Sequence, residues 1–534
     1  MTPYPPEQLV GRDGFAKQLR AEFTKFRMVR SRVIALFATG VVFVLVSFVS
    51  ALEGHGGNNV VPTGPGGEAV TDTYTFVHQP LAGNGALTAR VATLSGAYTP
   101  LSNTLGNGFG ASSKAQPGSQ LQPGLAPWAK AGIILEPDTN QGTDYAAVMV
   151  TGAHGVQLQY NYTNDSPGIG GPVETSSPRW LRLTRVGDVI TGYDSTDGDH
   201  WKEVGTARLT GLPRTIQIGL FVTSPVYFPA ESSSGTASVA TASFDHVSGQ
   251  GDFPYRSWTG DTITGLYPTL QSDPTWQQQS ADVFTISGSG DIAPLVGAIV
   301  FSIWSGASIV NGTIVGLLML IVLAALFATS EHRRESIRTP LAANARRVLA
   351  AKSVVVGSLA FAVGATATAI AEPITRHVLA ANGNYLFPQS ALAVVRIIVG
   401  TGLFFGFAAV LVVALGSMLR RVAVTIVAGV VLLEIPGVLA TVLPASESWL
   451  MRFTPTAAFA IQATLPQSNL VTSAYTIVNG YFPISPWGGL AVLAAYTAVI
   501  LGAAMWLLRR PNNQVGLDLS TTSNSWLSGT KSSS

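Results

Sequence analysis

The chain has 534 residues, of which 47% are hydrophobic and only 11% are charged, whereas soluble domains contain about 25% charged residues. This composition excludes an ordinary soluble protein and indicates membrane-spanning segments joined to a soluble part. The absence of cysteine excludes disulfides, thiolate metal sites and cysteine nucleophiles. The net charge of +2 is uninformative by itself, and we expect no nucleic-acid partner.

The first predicted element is an amphipathic helix within residues 1–32, which we expect to be cytoplasmic. Between Asp13 and Arg32, apolar side chains recur at spacings of four, four and three residues and therefore share one helical face; they are Phe15, Leu19, Phe23 and Phe26. Basic residues lie between them, and the helix leads directly into a membrane span. It should therefore lie in the membrane interface, in contact with lipid. A plain juxtamembrane anchor would have the same periodicity.

Residues 33–52 form an uncharged run that we predict to be the first transmembrane helix. About 20 apolar residues are needed to cross the roughly 30 Å of hydrocarbon in a bilayer. A cleaved signal peptide is the alternative. We favour an uncleaved span, because the run begins late, is long, and ends at Leu52-Glu53-Gly54-His55 without a small-residue cleavage site.

Residues 53–290 form a polar block that we predict to be an extracellular all-β sandwich with its linkers, inserted between the first two spans. Short runs of β-forming residues alternate with turn residues throughout the block. The predicted strands are Thr73–Val77, Leu87–Thr93, Lys130–Leu135, Asp144–Thr151, Val156–Tyr160, Trp180–Val186, Asp188–Tyr193, Thr215–Val222 and Val239–His246. Gly187-Asp188 and Asp197-Gly198 have the composition of hairpin turns.

Part of this block has the pattern of a known fold. Trp180–Val204 resembles the central hairpins of concanavalin A-like jelly rolls, and Trp128–Ile133 is similar to the same group. The resemblance implies a jelly-roll sandwich with an extracellular glycan as its ligand. No paired carboxylates, histidine spacing or nucleophile motif indicates that the domain is an enzyme.

Five residues of this domain are candidates for ligand binding. Trp180 and Trp201 either pack in the core or form platforms for a sugar, and we favour the core. Asp194, Asp197 and Asp199 either serve a tight turn or gather round Ca²⁺, which prefers oxygen ligands. Aspartates in tight turns usually serve the turn, so we predict no metal site.

Five more apolar runs follow the polar block: Ile292–Ala328, Ser353–Ala371, Ala391–Gly416, Val422–Leu443 and Pro486–Leu508. The first run has 37 residues, too many for one straight helix. We predict that residues 291–328 contain the second span after a kinked or re-entrant entry, and that residues 353–510 contain spans three to six. Six spans result, with seven as the alternative.

Basic residues cluster on alternate connections between these spans. They lie in residues 12–32, in the segment 329–352, at Arg420-Arg421 and at Arg509-Arg510. Because such clusters mark the cytoplasmic side, we predict a plasma-membrane protein with both termini in the cytoplasm. The tail, residues 511–534, is rich in Ser, Thr and Asn and is predicted to be disordered.

Two of the basic segments resemble the ABC type-2 transporter permeases. Leu19–Arg27 is similar to the opening of that family, and Ser330–Leu341 with Arg346–Lys352 is similar to its connection between spans two and three. In the family a Glu closes the second span, an Arg-rich segment follows, and a Lys opens the third span. Ser336 stands where family members usually have glycine. The resemblance implies a subunit that pairs with a second permease copy and with cytosolic ATPase subunits.

Residues 329–352 are therefore predicted to be the cytoplasmic coupling segment. Its charged residues are the expected docking residues for the ATPase: Glu331, Arg333, Arg334, Glu335, Arg338, Arg346, Arg347 and Lys352. A short charged helix suits docking into a groove on another protein, although a solvated loop would have the same composition. The phosphate-binding motif G-x-x-x-x-G-K-[ST] is absent. We thus expect no cofactor on this chain and ATP with Mg²⁺ on the partner.

Two charged residues, Arg396 and Glu434, lie inside predicted spans. Charge within a membrane is costly, so both are candidates for lining a substrate path. A buried pair that fixes helix packing, or side chains that reach the interface, would explain them equally well.

These features favour the permease subunit of an ABC exporter, driven by ATP hydrolysis in a separate subunit. The alternative is a membrane-anchored glycan-binding receptor or adhesin without transport. One or two spans would suffice for such display, whereas six spans with internal charges indicate a path through the membrane.

Overall fold

The computed structural model describes residues 15–54, 61–100, 121–174, 176–229, 235–254, 257–263, 275–295, 306–329, 345–442, 448–465, 477, 480 and 482–508. The helices are α1 Phe15–Met28, α2 Arg30–Glu53, α3 Gly306–Thr329, α4 Ala345–Ala381, α5 Ala391–Leu419, α6 Val422–Leu433, α7 Ile435–Val442, α8 Leu450–Phe453 and α9 Pro486–Leu507, and a 3₁₀ segment spans Pro455–Gln462. The strands are β1 Val70–Asp72, β2 Tyr74–Tyr98, β3 Gln122–Pro123, β4 Lys130–Glu136, β5 Ala146–Thr151, β6 Val156–Tyr160, β7 Asn164–Pro167, β8 Arg179–Val186, β9 Val189–Ser195, β10 Lys202–Arg208, β11 Thr215–Thr223, β12 Ser238–Asp252, β13 Thr259–Ile263, β14 Thr275–Ser280, β15 Val283–Gly288 and β16 Ile292–Pro294.

The strands form a large antiparallel β domain between α2 and α3, as predicted. Strand β2 belongs to two layers: its first part pairs with β11 and β13, and its second part pairs with β8 and β12. One layer continues through β4 to β7, and the other continues to β10 on one side and β14 on the other. Apolar side chains from both layers, such as Ile133, Leu220, Leu183 and Phe244, form the buried core between them.

Most predicted strands and both hairpin turns are confirmed, but one boundary is wrong. The sequence predicts separate strands at Thr73–Val77 and Leu87–Thr93, and the structure has a single strand, β2, across both. The chain crosses between the layers near Gly83, whose φ of 75° lies in the left-handed region that favours glycine. The turn residues around Gly83 therefore mark a bend within one strand and not the end of a strand.

A two-stranded ribbon of β1 and β16 joins the β domain to the helices, and we call it the neck. It corrects the prediction for residues 291–328. The sequence predicts Ile292 and Ala293 in the entry of the second span, but both are buried in β16, opposite β1. The 37-residue apolar run was too long because its first residues are a buried strand, and α3 begins only at Gly306.

Six helices within the described residues are long and apolar enough to cross a membrane, which makes this a multi-pass membrane protein. They are α2 to α5, α6 continued by α7, and α9. Helix α4 has 37 residues and begins at Ala345, inside the predicted coupling segment, so this part of the segment is continuous with the third span.

The helical bundle has two distinct ends. The β domain follows α2 and precedes α3, and Asn382 and Asn384 after α4 donate hydrogen bonds to the Gly54 carbonyl after α2, at 3.1 and 2.9 Å. We call this the domain end. The other end holds α1, the start of α2, the end of α3 and the start of α4; we call it the basic end because Arg30, Arg346 and Arg347 are exposed there.

Candidate functional site

A buried polar cluster lies inside the helical bundle, centred on Gln462. Its side-chain amide nitrogen donates to the hydroxyls of Thr313 on α3 at 2.7 Å and Thr401 on α5 at 2.9 Å. The Thr313 hydroxyl donates in turn to the carbonyl of Ile309, so its oxygen is free to accept from the amide. Within the described residues, Gln462 Oε1 has no hydrogen-bond partner although the residue is only 2% exposed. The cluster is thus a buried polar site with one vacant acceptor.

The 3₁₀ segment Pro455–Gln462 brings Gln462 to this position. All eight of its residues are buried, and Pro455 starts the segment where its missing N–H costs nothing. The segment can approach α5 only because residue 400 is glycine: a Cβ there would lie 2.0 Å from Ile461 Cγ1. The chain thus folds back into the bundle at the domain end without crossing it.

The two predicted membrane charges lie on different elements at this end. The Arg396 guanidinium on α5 donates to the carbonyl of Ala463, directly after Gln462. Glu434 lies at the break between α6 and α7, is 6% exposed, and its Oε1 has no partner within the described residues. Next to it, the Thr456 hydroxyl donates to the Leu433 carbonyl at 3.2 Å. The described structure contains no ion pair between Arg396 and Glu434, so the predicted buried pair is absent there.

Sequence reasoning missed Gln462, Thr313 and Thr401. Threonine is common in membrane helices because its hydroxyl can bond to a carbonyl one turn back, so Thr313 and Thr401 gave no signal in apolar segments. Gln462 lies in a connection between spans whose apolar stretch is too short to cross a membrane. A polar amide within the apolar stretch 455–465 was the one available hint.

The neck contacts the helical bundle beside this cluster. Ala69 and Leu295 at the base of the neck are joined by a backbone hydrogen bond of 2.8 Å, and both are buried against Phe387 from the connection between α4 and α5. Tyr385 and Leu465 pack on the same contact. Because Leu465 follows Ala463 by two residues, the β domain is connected through packed side chains to the segment that carries Gln462.

Above this contact, the neck is fixed to the β domain by a buried ion pair. Lys130 Nζ on β4 lies 2.7 Å from Asp291 Oδ1, and both side chains are almost fully buried. The same ammonium donates to the Ile292 carbonyl and to Gln159. The Lys130 ammonium therefore has hydrogen-bond acceptors both at the neck and on the outer face of the sheet.

Two more carboxyl groups are buried at the neck, Asp72 at the end of β1 and Glu136 at the end of β4. Asp72 accepts hydrogen bonds from the Tyr162 hydroxyl and the Gly142 N–H, both at 2.8 Å. Burial raises the pKa of Asp72 to about 6. Burial also raises the pKa of Glu136 well above its usual range, although Glu136 accepts from the Tyr74 hydroxyl. Both carboxyls thus resist ionisation in the folded domain.

At the basic end, four elements meet at one aromatic ring, that of Phe327 on α3. Phe26 of α1 contacts it edge-on, with ring centroids 5.5 Å apart. The Arg32 guanidinium and the Lys352 ammonium lie 4.9 and 5.0 Å from the ring centroid, at distances typical of cation–π interactions. This contact anchors the start of α4 and the amphipathic helix to the end of α3.

The predicted interfacial helix is confirmed as a helix, α1, but its apolar residues have different environments. Phe26 is buried against the bundle, Leu19 is half-buried, and Phe15 and Phe23 are exposed. Of the predicted docking residues, Arg346 and Arg347 are exposed on α4 and Lys352 is buried beside Phe327. The other docking residues lie outside the described residues: Glu331, Arg333, Arg334, Glu335 and Arg338.

The two candidate tryptophans lie on the outer surface of the β domain, so the core assignment favoured from sequence is wrong. Along β8 the Leu181 side chain points into the core. The neighbouring Trp180 side chain lies on the opposite face of the sheet and is half-buried. The Arg90 guanidinium lies 5.7 Å from the Trp180 ring centroid, and that of Arg182 lies 3.9 Å from the ring centroid of Trp201. Two indole–guanidinium pairs are thus displayed on this face.

The three candidate aspartates do not gather at one point. Asp194 is buried and accepts from the Ile169 N–H at 2.6 Å, whereas Asp197 accepts from the N–H groups of Asp199 and His200 at 2.9 Å. Hydrogen bonds from His200 and Asp199 lower the pKa of Asp197. These contacts are those of a turn, and no three His, Cys, Asp or Glu side chains in the described structure are grouped to hold a metal.

No protein-family model and no curated protein matches the sequence. Among solved structures, the chain is similar to a functionally unknown protein from Saccharomyces cerevisiae, with 15% identity over 36% of this chain and 83% of that one, and a TM-score of 0.22. It is also similar to scytalido-glutamic peptidase bound to a transition-state analog inhibitor, with 8% identity over 41% of this chain and 99% of the peptidase, and a TM-score of 0.26. Neither likeness carries an inference about function.

Proposed function

We propose that this protein is the membrane subunit of an ABC-type exporter, with ATP hydrolysed by a separate cytosolic subunit. The proposal rests on the resemblance of residues 19–27 and 330–352 to the type-2 permeases and on a bundle of six spans, since no family model matches. The arrangement of basic residues favours an orientation with the basic end in the cytoplasm and the β domain outside.

The observation that carries the proposal is the continuity of α4. One helix of 37 residues runs from the exposed Arg346 and Arg347 to the domain end, a length of about 55 Å at 1.5 Å per residue. Lys352 beside Phe327 anchors its first turns to α3 and α1. A partner that engages Arg346 and Arg347 would therefore act on one continuous helix, with Pro373 near its far end, that leads to Asn382 and the end of α2.

At the domain end, the polar cluster is the best candidate for the outer part of a substrate path. Gln462 and Glu434 are buried and Arg396 is half-buried, and Gln462 and Glu434 each keep an acceptor without a partner in the described structure. Because buried polar groups are costly in a membrane, their retention favours a role in binding. Neutralising Arg396 and Glu434 together should reduce transport, and unchanged transport would remove both from the path.

The test of the proposal is affinity purification of the full chain from native membranes in mild detergent, followed by identification of the proteins that co-purify. Recovery of an ATPase with nucleotide-binding motifs supports the exporter. Recovery of the chain without one, under conditions that preserve known complexes, contradicts it.

One observation favours a second function, that of a glycan-binding receptor. Trp180 and Trp201 lie on the outer face of the β domain, each half-buried beside a guanidinium, that of Arg90 and that of Arg182 respectively. Aromatic faces beside hydrogen-bond donors suit sugar rings. Binding of the purified protein to a glycan array, lost in Trp180→Ala and Trp201→Ala, would support this function. Glycan binding is compatible with transport. Only the absence of a co-purifying ATPase would make glycan binding the sole function.

A further inference from the structure

The rotation of α1 about its own axis is fixed by two buried side chains. Phe26 packs edge-on against Phe327, and Glu22 is buried and accepts from Lys25 at 2.7 Å. Glu22 and Phe26 are four residues apart and therefore share one face. That face is turned toward the bundle. Its orientation determines which side chains of α1 the other faces expose.

An exposed stripe of Arg20, Phe23 and Arg27 follows on an adjacent face. The spacings of three and four residues align these side chains along the helix. Phe23 is 46% exposed, and both arginines are exposed. Neither guanidinium has a carboxylate partner within the described residues. The stripe thus combines one exposed aromatic ring with two exposed guanidinium groups.

The surroundings of the stripe identify the kind of partner. At Val29 the backbone is extended, with φ of −92° and ψ of 93°, so α1 leaves the direction of α2. Directly beyond, α2 exposes large apolar side chains, including Ile34 and Phe37, as a lipid-facing span must. Residues 15–32 contain six basic residues and one acidic residue, Glu22. An aromatic side chain between two arginines, next to a lipid-facing helix, suits the membrane region where acyl chains meet headgroups.

We propose that Arg20, Phe23 and Arg27 form a binding surface for the phosphate groups of anionic phospholipids. Phe23 inserts at the level of the upper acyl chains, and the two guanidiniums donate hydrogen bonds to headgroup phosphates on either side. An acidic protein surface would match the arginines but would leave Phe23 without a hydrocarbon environment. The proposal is independent of the exporter function, because it requires neither an ATPase nor a transported substrate.

The test uses the purified full chain in neutral detergent, titrated with short-chain phosphatidylglycerol, phosphatidylcholine or glycerol 3-phosphate. We expect phosphatidylglycerol to bind more tightly than the other two. A basic residue near an anionic membrane surface contributes roughly 5-fold in affinity, and with the same contribution here Arg20→Gln with Arg27→Gln should weaken phosphatidylglycerol binding about 25-fold. Arg20→Lys with Arg27→Lys should keep most of the affinity, because the charge is retained. The matched control is Arg208→Gln with Arg214→Gln, which removes two exposed arginines from the β domain.

Several results would overturn the proposal. One is equal binding of phosphatidylcholine, and another is wild-type affinity for phosphatidylglycerol in the glutamine variant. Glycerol 3-phosphate that binds as tightly as phosphatidylglycerol would show that the arginines bind a free anion. If the glutamine variant loses a co-purifying acidic protein while its lipid binding is unchanged, the arginines bind that protein. An unchanged melting temperature of the variants shows that they are folded.

Discussion

Lys130 and Asp291 form an ion pair of 2.7 Å that joins β4 to the neck, with side chains 0% and 3% exposed. Removing both charges from water is costly, and the pair persists because Lys130 also donates to the Ile292 carbonyl. The β domain is therefore fixed to the neck by a contact that fails if one partner is lost.

The first prediction concerns this ion pair. Asp291→Asn leaves the Lys130 ammonium buried without a counter-charge and should destabilise the β domain by about 3–5 kcal/mol. Lys130→Met combined with Asp291→Leu should recover much of that loss, because no charge remains buried. The measurement is thermal unfolding of the full chain, followed by protease cleavage within the β domain. Equal losses in the single and double variants would contradict this explanation.

The second prediction concerns pH. The pKa of Asp72 is about 6 in the folded domain and 3.8 when unperturbed, so the folded state holds its proton to higher pH. The contribution of Asp72 to stability is thus greatest below about pH 4, and it falls as pH rises to about 6, by about 3 kcal/mol in total. Glu136, whose pKa burial also raises, acts in the same direction.

Asp72→Asn tests this dependence, because an amide can still accept from Tyr162 but does not titrate. The stability of the variant should change less between pH 4 and 6 than that of the wild-type chain. Exposed Asp199→Asn is the control and should retain the loss of stability that Asp72 causes between pH 4 and 6. Identical profiles for Asp72→Asn and wild type would show that Asp72 does not titrate in this range.

The third prediction concerns the polar cluster. Gln462→Leu and Thr401→Val each remove one side of the 2.9 Å hydrogen bond. Coupling energies of such bonds inside membrane proteins average about 0.6 kcal/mol and reach about 1.7 kcal/mol. A double-mutant cycle on thermal stability should return a value in that range, and zero coupling would mean that the bond does not contribute to stability.

The fourth prediction follows from the absence of an ion pair between Arg396 and Glu434 in the described structure. Because the described structure has no ion pair between them, the effects of Arg396→Gln and Glu434→Gln on stability should add within about 0.5 kcal/mol. Glu372 and Arg376 on α4, which are 3.6 Å apart, provide the comparison. Equivalent substitutions there should show measurable coupling. Strong coupling between Arg396 and Glu434 would indicate that the two charges meet in another conformation.

Much of the architecture was predictable from sequence, because long apolar runs and alternating strands are local signals. The helices that could span a membrane and most strands follow from them. Errors arose where a local signal had a tertiary cause. Ile292 is apolar because β16 is buried against β1, and Gly83 marks a bend within β2 rather than its end.

The candidate site was less predictable. Arg396 and Glu434 were found because charge within an apolar run is conspicuous. Gln462 was not found, because its significance depends on Thr313 and Thr401 from helices far away in the sequence. Trp180 was assigned to the core because its alternation along β8 does not by itself tell which of the two faces is buried.

The measurement that tests the central claim most directly is recovery of an ATPase with the full chain, compared between wild type and the variant Arg346→Glu with Arg347→Glu. These residues are exposed at the start of α4, so the variant should fold normally and lose the ATPase. Arg208→Glu with Arg214→Glu in the β domain is the matched control and should retain it. An ATPase present in wild type and control but absent from the α4 variant is the predicted result. Absence of an ATPase from all three samples, in a preparation where known transporter complexes remain intact, would contradict the exporter account.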